Sequence, residues 1–267
     1  MSLVPTMILG RSMDKTDELL DFMLSFSKEA LQAGATVEYV EKALKRISQA
    51  YEMKEMSSIT TSNFIVLSAC SSDGMHHTRQ TSIEGSVIHL AKLWHLNHLR
   101  IQVCENTPAP KELMDMLGSV FEKHEFPKII TMPAQVIAFT CIYILIGGSV
   151  RDALATVVCA TAVCVVFEVL NHFKIDAIVS NALGMFVATC ITIFAVRAGF
   201  GDSGSMVVIT ISLMMIPGIP LANAFSSLVR GNEMNGSLLL VRVTLESLML
   251  ALGTYAAVLL LGGLTSW

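Results

Sequence analysis

Along the first half of the chain the spacing of apolar residues changes from helical to strand-like and back. Leu19, Met23, Phe26 and Ala30 recur at helical spacing within 14–33, and Gly34 follows as a stop. Thr36 is placed to cap a second helix whose apolar face is Val37, Val40, Leu44, Ile47 and Tyr51. The helical period then ends. Short strands are predicted over 56–61, 63–70 and 76–81, with Ser71-Ser72-Asp73-Gly74 as a hairpin turn. Helical spacing returns from 86 to about 103 and again over 110–125, where Pro110 suits a first turn. Residues 1–128 therefore read as an α+β domain with a small antiparallel sheet.

The second half follows a different rule. A membrane-spanning helix needs about 20 predominantly apolar residues. Five segments of 129–267 qualify: about 129–146, 153–170, 177–196, 205–228 and 236–261. They lack the polar face of a helix packed in a soluble core. The expected fold is an α+β soluble N-terminal domain followed by an all-α membrane bundle of five transmembrane helices.

Charge sharpens that boundary. Of 18 Lys and Arg and 22 Asp and Glu, 29 lie in 1–128 and only 11 beyond. The charged fraction of 15% falls below the ~25% of soluble chains, and the mean hydropathy is +0.61. A net charge of −4 gives no reason to expect a nucleic-acid partner. Basic residues in the connections put Lys123, Lys128, Lys174, Arg230 and Arg242 on one side, against Arg151 and Arg197 on the other. Met1–Gly10 lacks the pattern of a signal peptide. Both observations lead to the expectation of an N-terminal domain on the cytoplasmic side. With an odd number of helices, a second half would enter the membrane inverted, a recurrent transporter plan. That counterpart would be a separate chain or a second copy.

Candidate chemistry concentrates in the fourth apolar segment, Ile216-Pro217-Gly218-Ile219-Pro220-Leu221-Ala222-Asn223. Prolines remove helix donors, and freed backbone groups in lipid must be buried in protein or face a water-filled cavity. A broken helix with Asn223 one turn on is a place for a small polar substrate; a proline kink with tight packing is the alternative. Glu168, Asn181, Arg242 and Glu246 are further polar residues in apolar runs. Glu168 or Glu246 would relay a proton, or else Arg242–Glu246 is an interfacial ion pair and Glu168 snorkels. Gly147-Gly148 suits a turn and close packing.

Other chemistries find little support. The six cysteines form no CxxC pair, and His89, His95, His98 and Cys104 match no metal motif or shared helix face. Ser68–Ser72 lacks a nucleophile-elbow pattern, and there is no Walker-type phosphate loop. No cofactor, metal or catalytic residue is expected. A membrane-anchored ligand sensor and an integral-membrane enzyme stay open as alternatives. The first needs only one span, and the second has Glu168 and Glu246 as its sole acid/base pair.

At these residues the chain resembles the bacterial threonine/serine exporter family along nearly its whole length. The matching features are Gly34-Ala35-Thr36 with its following amphipathic helix, Gly147-Gly148, and the run Ile216–Ala224 followed by Gly231 and Ser237. Family members often carry a charged pair after Asn-Ala where this chain has Ser226-Ser227. The resemblance implies the short type, an N-terminal half working with a small membrane subunit of four or five spans, or else a homo-oligomer. It implies export of serine, threonine or a dicarboxylate such as succinate. The missing phosphate loop points to an ion gradient as the energy source, and the residues themselves make Pro217, Gly218, Pro220, Asn223, Asn181, Glu168, Arg242 and Glu246 the candidate substrate path.

Overall fold

The computed structural model describes residues 15–262, apart from 72, 86–87, 122–126, 174 and 200–202. Expectations placed on Met1–Gly10, Ser72, Ser86, Lys123, Glu125 and Lys174 lie outside those residues. The chain divides into two compact units, 1–125 and 126–267.

The first unit runs α1 (Lys15–Gln32), α2 (Val37–Ala50), β1 (Lys54–Thr60), β2 (Phe64–Cys70), β3 (His76–Ser82), α3 (Leu90–Asn106) and α4 (Pro110–Phe121). The strands form an antiparallel sheet in the order β1-β2-β3. Because strand side chains alternate, Ile65, Leu67 and Ala69 enter the core, while Phe64, Val66, Ser68 and Cys70 stand on the other face. α1 packs on the inner face with Phe22 and Phe26, and Leu96, Val103 and Leu113 of α3 and α4 join the same core. Ion pairs fix α1 against β3: Arg79 reaches Asp17 at 2.6 Å and Asp21 at 2.7 Å, and His77 Nδ1 lies 2.9 Å from Asp17.

α3 starts later than its periodicity suggests. Before it, Ile83 N–H bonds Asn63 O, Gly85 turns left-handed at φ 69°, and His89 N–H bonds Ala33 O. Its end comes at Thr107, left-handed at φ 41°, before a proline that disfavours helix.

Gly34-Ala35-Thr36 reverses the chain within three residues. Gly34 takes φ 85°, its N–H donates to Leu31 O, and Ala35 N–H donates to Ala30 O. These bonds satisfy carbonyls that the end of α1 leaves without donors. Thr36 then caps α2, its hydroxyl oxygen accepting from Tyr39 N–H at 3.2 Å.

The second unit is helical: α5 (Lys128–Leu145), α6 (Val150–His172), α7 (Ala177–Arg197), α8 (Gly204–Met215), α9 (Gly218–Val229) and α10 (Glu233–Ala257), closed by a π turn (Val258–Gly262). Among the described residues, three stretches are long and apolar enough to span a bilayer: Asp152–His172, Ala177–Arg197 and Glu233–Leu261. α8 and α9 make a fourth as a broken pair bent by 50°. The apolar stretch of the first expected span, Ile129–Leu145, extends about 26 Å at 1.5 Å per residue, short of the ~30 Å hydrocarbon core.

Packing in this unit is inverted relative to a soluble domain. Ala160, Ala188, Gly184, Thr189 and Thr192 lie inside, whereas Val158, Phe194, Leu213 and Leu252 face outward. Small interior residues let helices approach where lipid supplies no hydrophobic drive between them. At the closest point, a Cβ on Gly253 of α10 would strike the backbone of Ala182 on α7.

Gly34→Ala should destabilise the full chain by about 1–2 kcal/mol through its left-handed φ alone. The new Cβ would also lie 3.0 Å from Ile88 Cα. Thr36→Ala should lose about 1 kcal/mol with the cap. Thermal melts in detergent that leave Gly34→Ala at the parental midpoint would contradict this account of the turn.

Candidate functional site

The break in the fourth span follows from one proline. α8 ends with Ile216 N–H on Ser212 O at 3.0 Å. One residue on, Pro217 has no N–H for Leu213 O, and Gly218 N–H turns to Ile216 O at 2.8 Å, so Met214 O also loses its helical donor. Pro217 is the N-cap of α9, and Leu221 N–H makes the first bond of the new helix, to Pro217 O at 3.0 Å. Pro220 was expected to share in breaking the helix, and here the expectation is corrected. It is the third residue of α9, where an N–H would lack a helical acceptor anyway. Gly218 is exposed, and nothing lies within 4 Å of where its Cβ would be.

Beyond the break, α9 carries half-buried Asn223 and, one turn further, buried Ser227. Ser227 Oγ accepts from Asn235 Nδ2 of α10 at 3.5 Å. α9 ends on Gly231 at φ 84°, with Asn232 N–H on Ser227 O; Asn232 then caps α10 through its side chain. Asn181 of α7 is buried beside Ser180. On α10, Arg242 Nε lies 3.0 Å from Glu246 Oε1; the Glu246 side chain is 11% exposed and that of Arg242 47%. Glu168 is half-buried on α6. α10 packs chiefly on α7 and α9, and α6 on α5, α7 and α8. The expected path residues therefore fall into a group on α7, α9 and α10, with Glu168 on a different helix.

Several hydroxyls inside the bundle bond a carbonyl one turn back: Thr156 to Asp152 O, Thr192 to Ala188 O and Thr210 to Met206 O. Ser180 Oγ and Thr189 Oγ1 on α7, and Asn235 Oδ1 on α10, are buried with no protein partner. Groups of that kind call for water or a polar ligand.

A second polar cluster is one that residue patterns did not single out. Asp152 is 1% exposed. Its Oδ2 accepts from Tyr143 Oη of α5 at 2.9 Å, from Ser149 Oγ at 3.1 Å, and from Ser203 N–H at 3.2 Å, just before α8. One carboxylate oxygen thus ties together three helix ends, in the first turn of α6 where the helix dipole favours an anion. Ser149 Oγ in turn accepts from Asp152 N–H. The spacing Ser149-x-x-Asp152 is the capping-box signal that would have found it. The adjoining glycines have separate tasks. Gly147 takes φ 91° to end α5, whereas a Cβ on Gly148 would run into the Tyr143 ring.

In the first unit, the histidines of α3 are in aromatic contact: Trp94 meets His95 edge-on and His98 at a tilt, with centroids 4.8 and 4.0 Å apart. Burial pushes the Cys104 thiol up. A cleft of about 440 Å³ opens beside Lys15, Tyr51, Lys54, Cys70 and Pro108. Tyr51 Oη donates to Pro108 O at 2.8 Å, and burial, with Cys104 and Glu112 nearby, pushes its phenol up to about 12.

A family profile described as "Putative threonine/serine exporter" matches residues 21–261. The chain belongs to the threonine/serine exporter family. It is 24% identical over 240 residues to the "Probable succinate transporter subunit YjjP" of Klebsiella aerogenes, covering 89% of this chain and 91% of that protein. No solved structure matches it. Family membership and the apolar helices together describe a multi-pass membrane protein of a transporter family.

Asp152→Ala would leave the Tyr143 hydroxyl and Ser203 N–H without their acceptor, at about 1–3 kcal/mol for each buried donor. Asp152→Asn keeps one acceptor and should lose less, and Tyr143→Phe less again. Detergent melting temperatures should fall in that order; three equal midpoints would mean the cluster does not hold the helix ends.

Proposed function

We propose that this chain is one subunit of a secondary transporter exporting small hydrophilic metabolites, serine or threonine first and a dicarboxylate such as succinate second. The observation that carries the reading is the break at Pro217, which frees backbone carbonyls inside an apolar span. Broken spans of this kind bind polar substrates and ions in transporters with inverted halves. Support comes from the partnerless Asn235 atom on α10, which packs on α9, from those of Ser180 and Thr189 on α7, which packs on α8 and α10, and from the name of the Klebsiella relative. The path would run past Asn181, Pro217, Gly218, Asn223 and the Arg242–Glu246 pair, with Pro220 completing the turn and Glu168 as a second proton-accepting group. An ion gradient would supply the energy.

The chain would cross the bacterial inner membrane five times, with α5 as the fifth span and the α+β unit in the cytoplasm. Its counterpart would be a small membrane subunit of four or five spans. The half-exposed Arg242 supports such a partner, because a charge well inside a span is costly against lipid. A second reading, a membrane-anchored ligand sensor, is favoured by one observation, the open cleft of the first unit.

Vesicle transport, measured per folded molecule alongside melting temperature, tests the reading. The chain with its companion should export substrate, and the chain alone should export little. Pro217→Ala should reduce transport sharply while stability holds or rises, since proline in a continuous helix costs ~3 kcal/mol. Pro220→Ala should change neither. Asn223→Ala should lower transport about fivefold to tenfold, the worth of a lost hydrogen bond. Normal transport in both Pro217→Ala and Asn223→Ala would remove the break from the path; failure of the assembled pair to transport would favour the sensor.

A further inference from the structure

At one end of the three-stranded sheet, Glu55, Cys70 and His76 come from three different strands. One carboxylate oxygen, the thiol sulfur and one imidazole nitrogen all lie within 4.8 Å of one another, with Glu55 and His76 exposed and Cys70 half-buried. Cys70 and His76 are direct antiparallel partners, so they stand on the same face, away from the core. Glu55 arrives there by an irregularity. The register passes from Lys54↔Cys70 to Ser57↔Ser68, which gives β1 one residue more than β2. Glu55 sits in that bulge with a left-handed φ of 49°. In a regular strand it would point to the face opposite Lys54 and Cys70. Turned by the bulge, its Oε2 instead lies 3.7 Å from His76 Nε2.

We infer that Glu55, Cys70 and His76 form a binding site for a single divalent ion of the zinc class. Tetrahedral zinc keeps nitrogen and oxygen donors at about 2.0–2.2 Å, which sets two such donors roughly 3.5 Å apart, close to the Glu55–His76 gap. A thiolate and a carboxylate neutralise a dication, and a neutral imidazole completes a mixed sulfur, nitrogen and oxygen set. That set suits zinc or cobalt and is too soft for magnesium or calcium. Three protein ligands leave a fourth position for water or a small carboxylate.

The surroundings favour a site over an incidental surface contact. Among the described residues, the non-glycine positions with left-handed backbone are Glu52, Glu55 and Thr107; Glu52 and Thr107 line the 440 Å³ cleft, and Glu55 is the residue after Lys54, which also lines it. Cys70 belongs to both cleft and triad. An exposed glutamate–histidine pair is too weak by itself to account for a strained residue in a strand. Lys54, opposite Cys70, is exposed and can keep its ammonium in water.

The test uses the purified full chain in detergent with Co²⁺ alone as the probe. The parent should develop a sulfur-to-cobalt charge-transfer band in the near ultraviolet that saturates at about one ion per chain, a band that only a thiolate ligand gives. Zn²⁺ should displace it. Cys70→Ser should abolish the band, whereas Cys104→Ser in the same unit should keep it. Should Cys70→Ser express poorly, the exposed-residue variants Glu55→Gln and His76→Gln carry the test, each weakening Co²⁺ binding about tenfold or more. Absence of the band in the parent, its survival in Cys70→Ser, or parental affinity in both exposed-residue variants would overturn the site.

Discussion

A peptide carbonyl inside hydrocarbon has no water to turn to, and nearly everything in the second unit answers that constraint. Helices carry the chain because they satisfy their own backbone. Helix ends are sealed by glycine turns and side-chain caps at Gly147-Gly148-Ser149 and Gly231-Asn232, and interior threonines at 156, 192 and 210 are bonded to a carbonyl one turn behind. Against that background, the carbonyls of Leu213 and Met214 stand out. Pro217 withholds the donor from one, and Gly218 turns its own donor away from the other.

The same constraint explains why the polar residues of the bundle are so unequal. Asp152 collects three donors on one oxygen and so acts as a fastener. Asn235 and Ser180 carry buried atoms that no protein group answers. The first kind stabilises whatever conformation contains it; the second is satisfied only when something polar enters.

Much of this was legible from residue order. The strands came out within two residues because alternation and the Ser71–Gly74 turn are strong local signals, and Thr36 was readable as a cap because its hydroxyl acts on Tyr39, three residues away. Pro217 was readable as a break, since the missing N–H is a property of the residue itself. Pro220 was over-read, because its effect depends on its place in the helix that follows. The helical period over 86–103 misled for a similar reason: His89 is tied to Ala33, more than fifty residues back. Asp152 looked like a span boundary because its partners come from α5 and the start of α8. The Glu55 bulge gave no signal, since register shifts are settled between strands and not within one.

The outward guanidinium of Arg242 bears on how such a protein is made. Arginine near the middle of a helix adds about 2.5–3.5 kcal/mol to insertion, while each leucine or valine returns roughly 0.3–0.6. Leu238, Leu239, Leu240, Val241 and Val243 close by return roughly 1.5–3 kcal/mol of that, offsetting most of it. Once inserted, the half-exposed charge is still poorly matched to acyl chains. α10 therefore carries its own inducement to assembly: the folded helix is better housed where another polar surface covers that position.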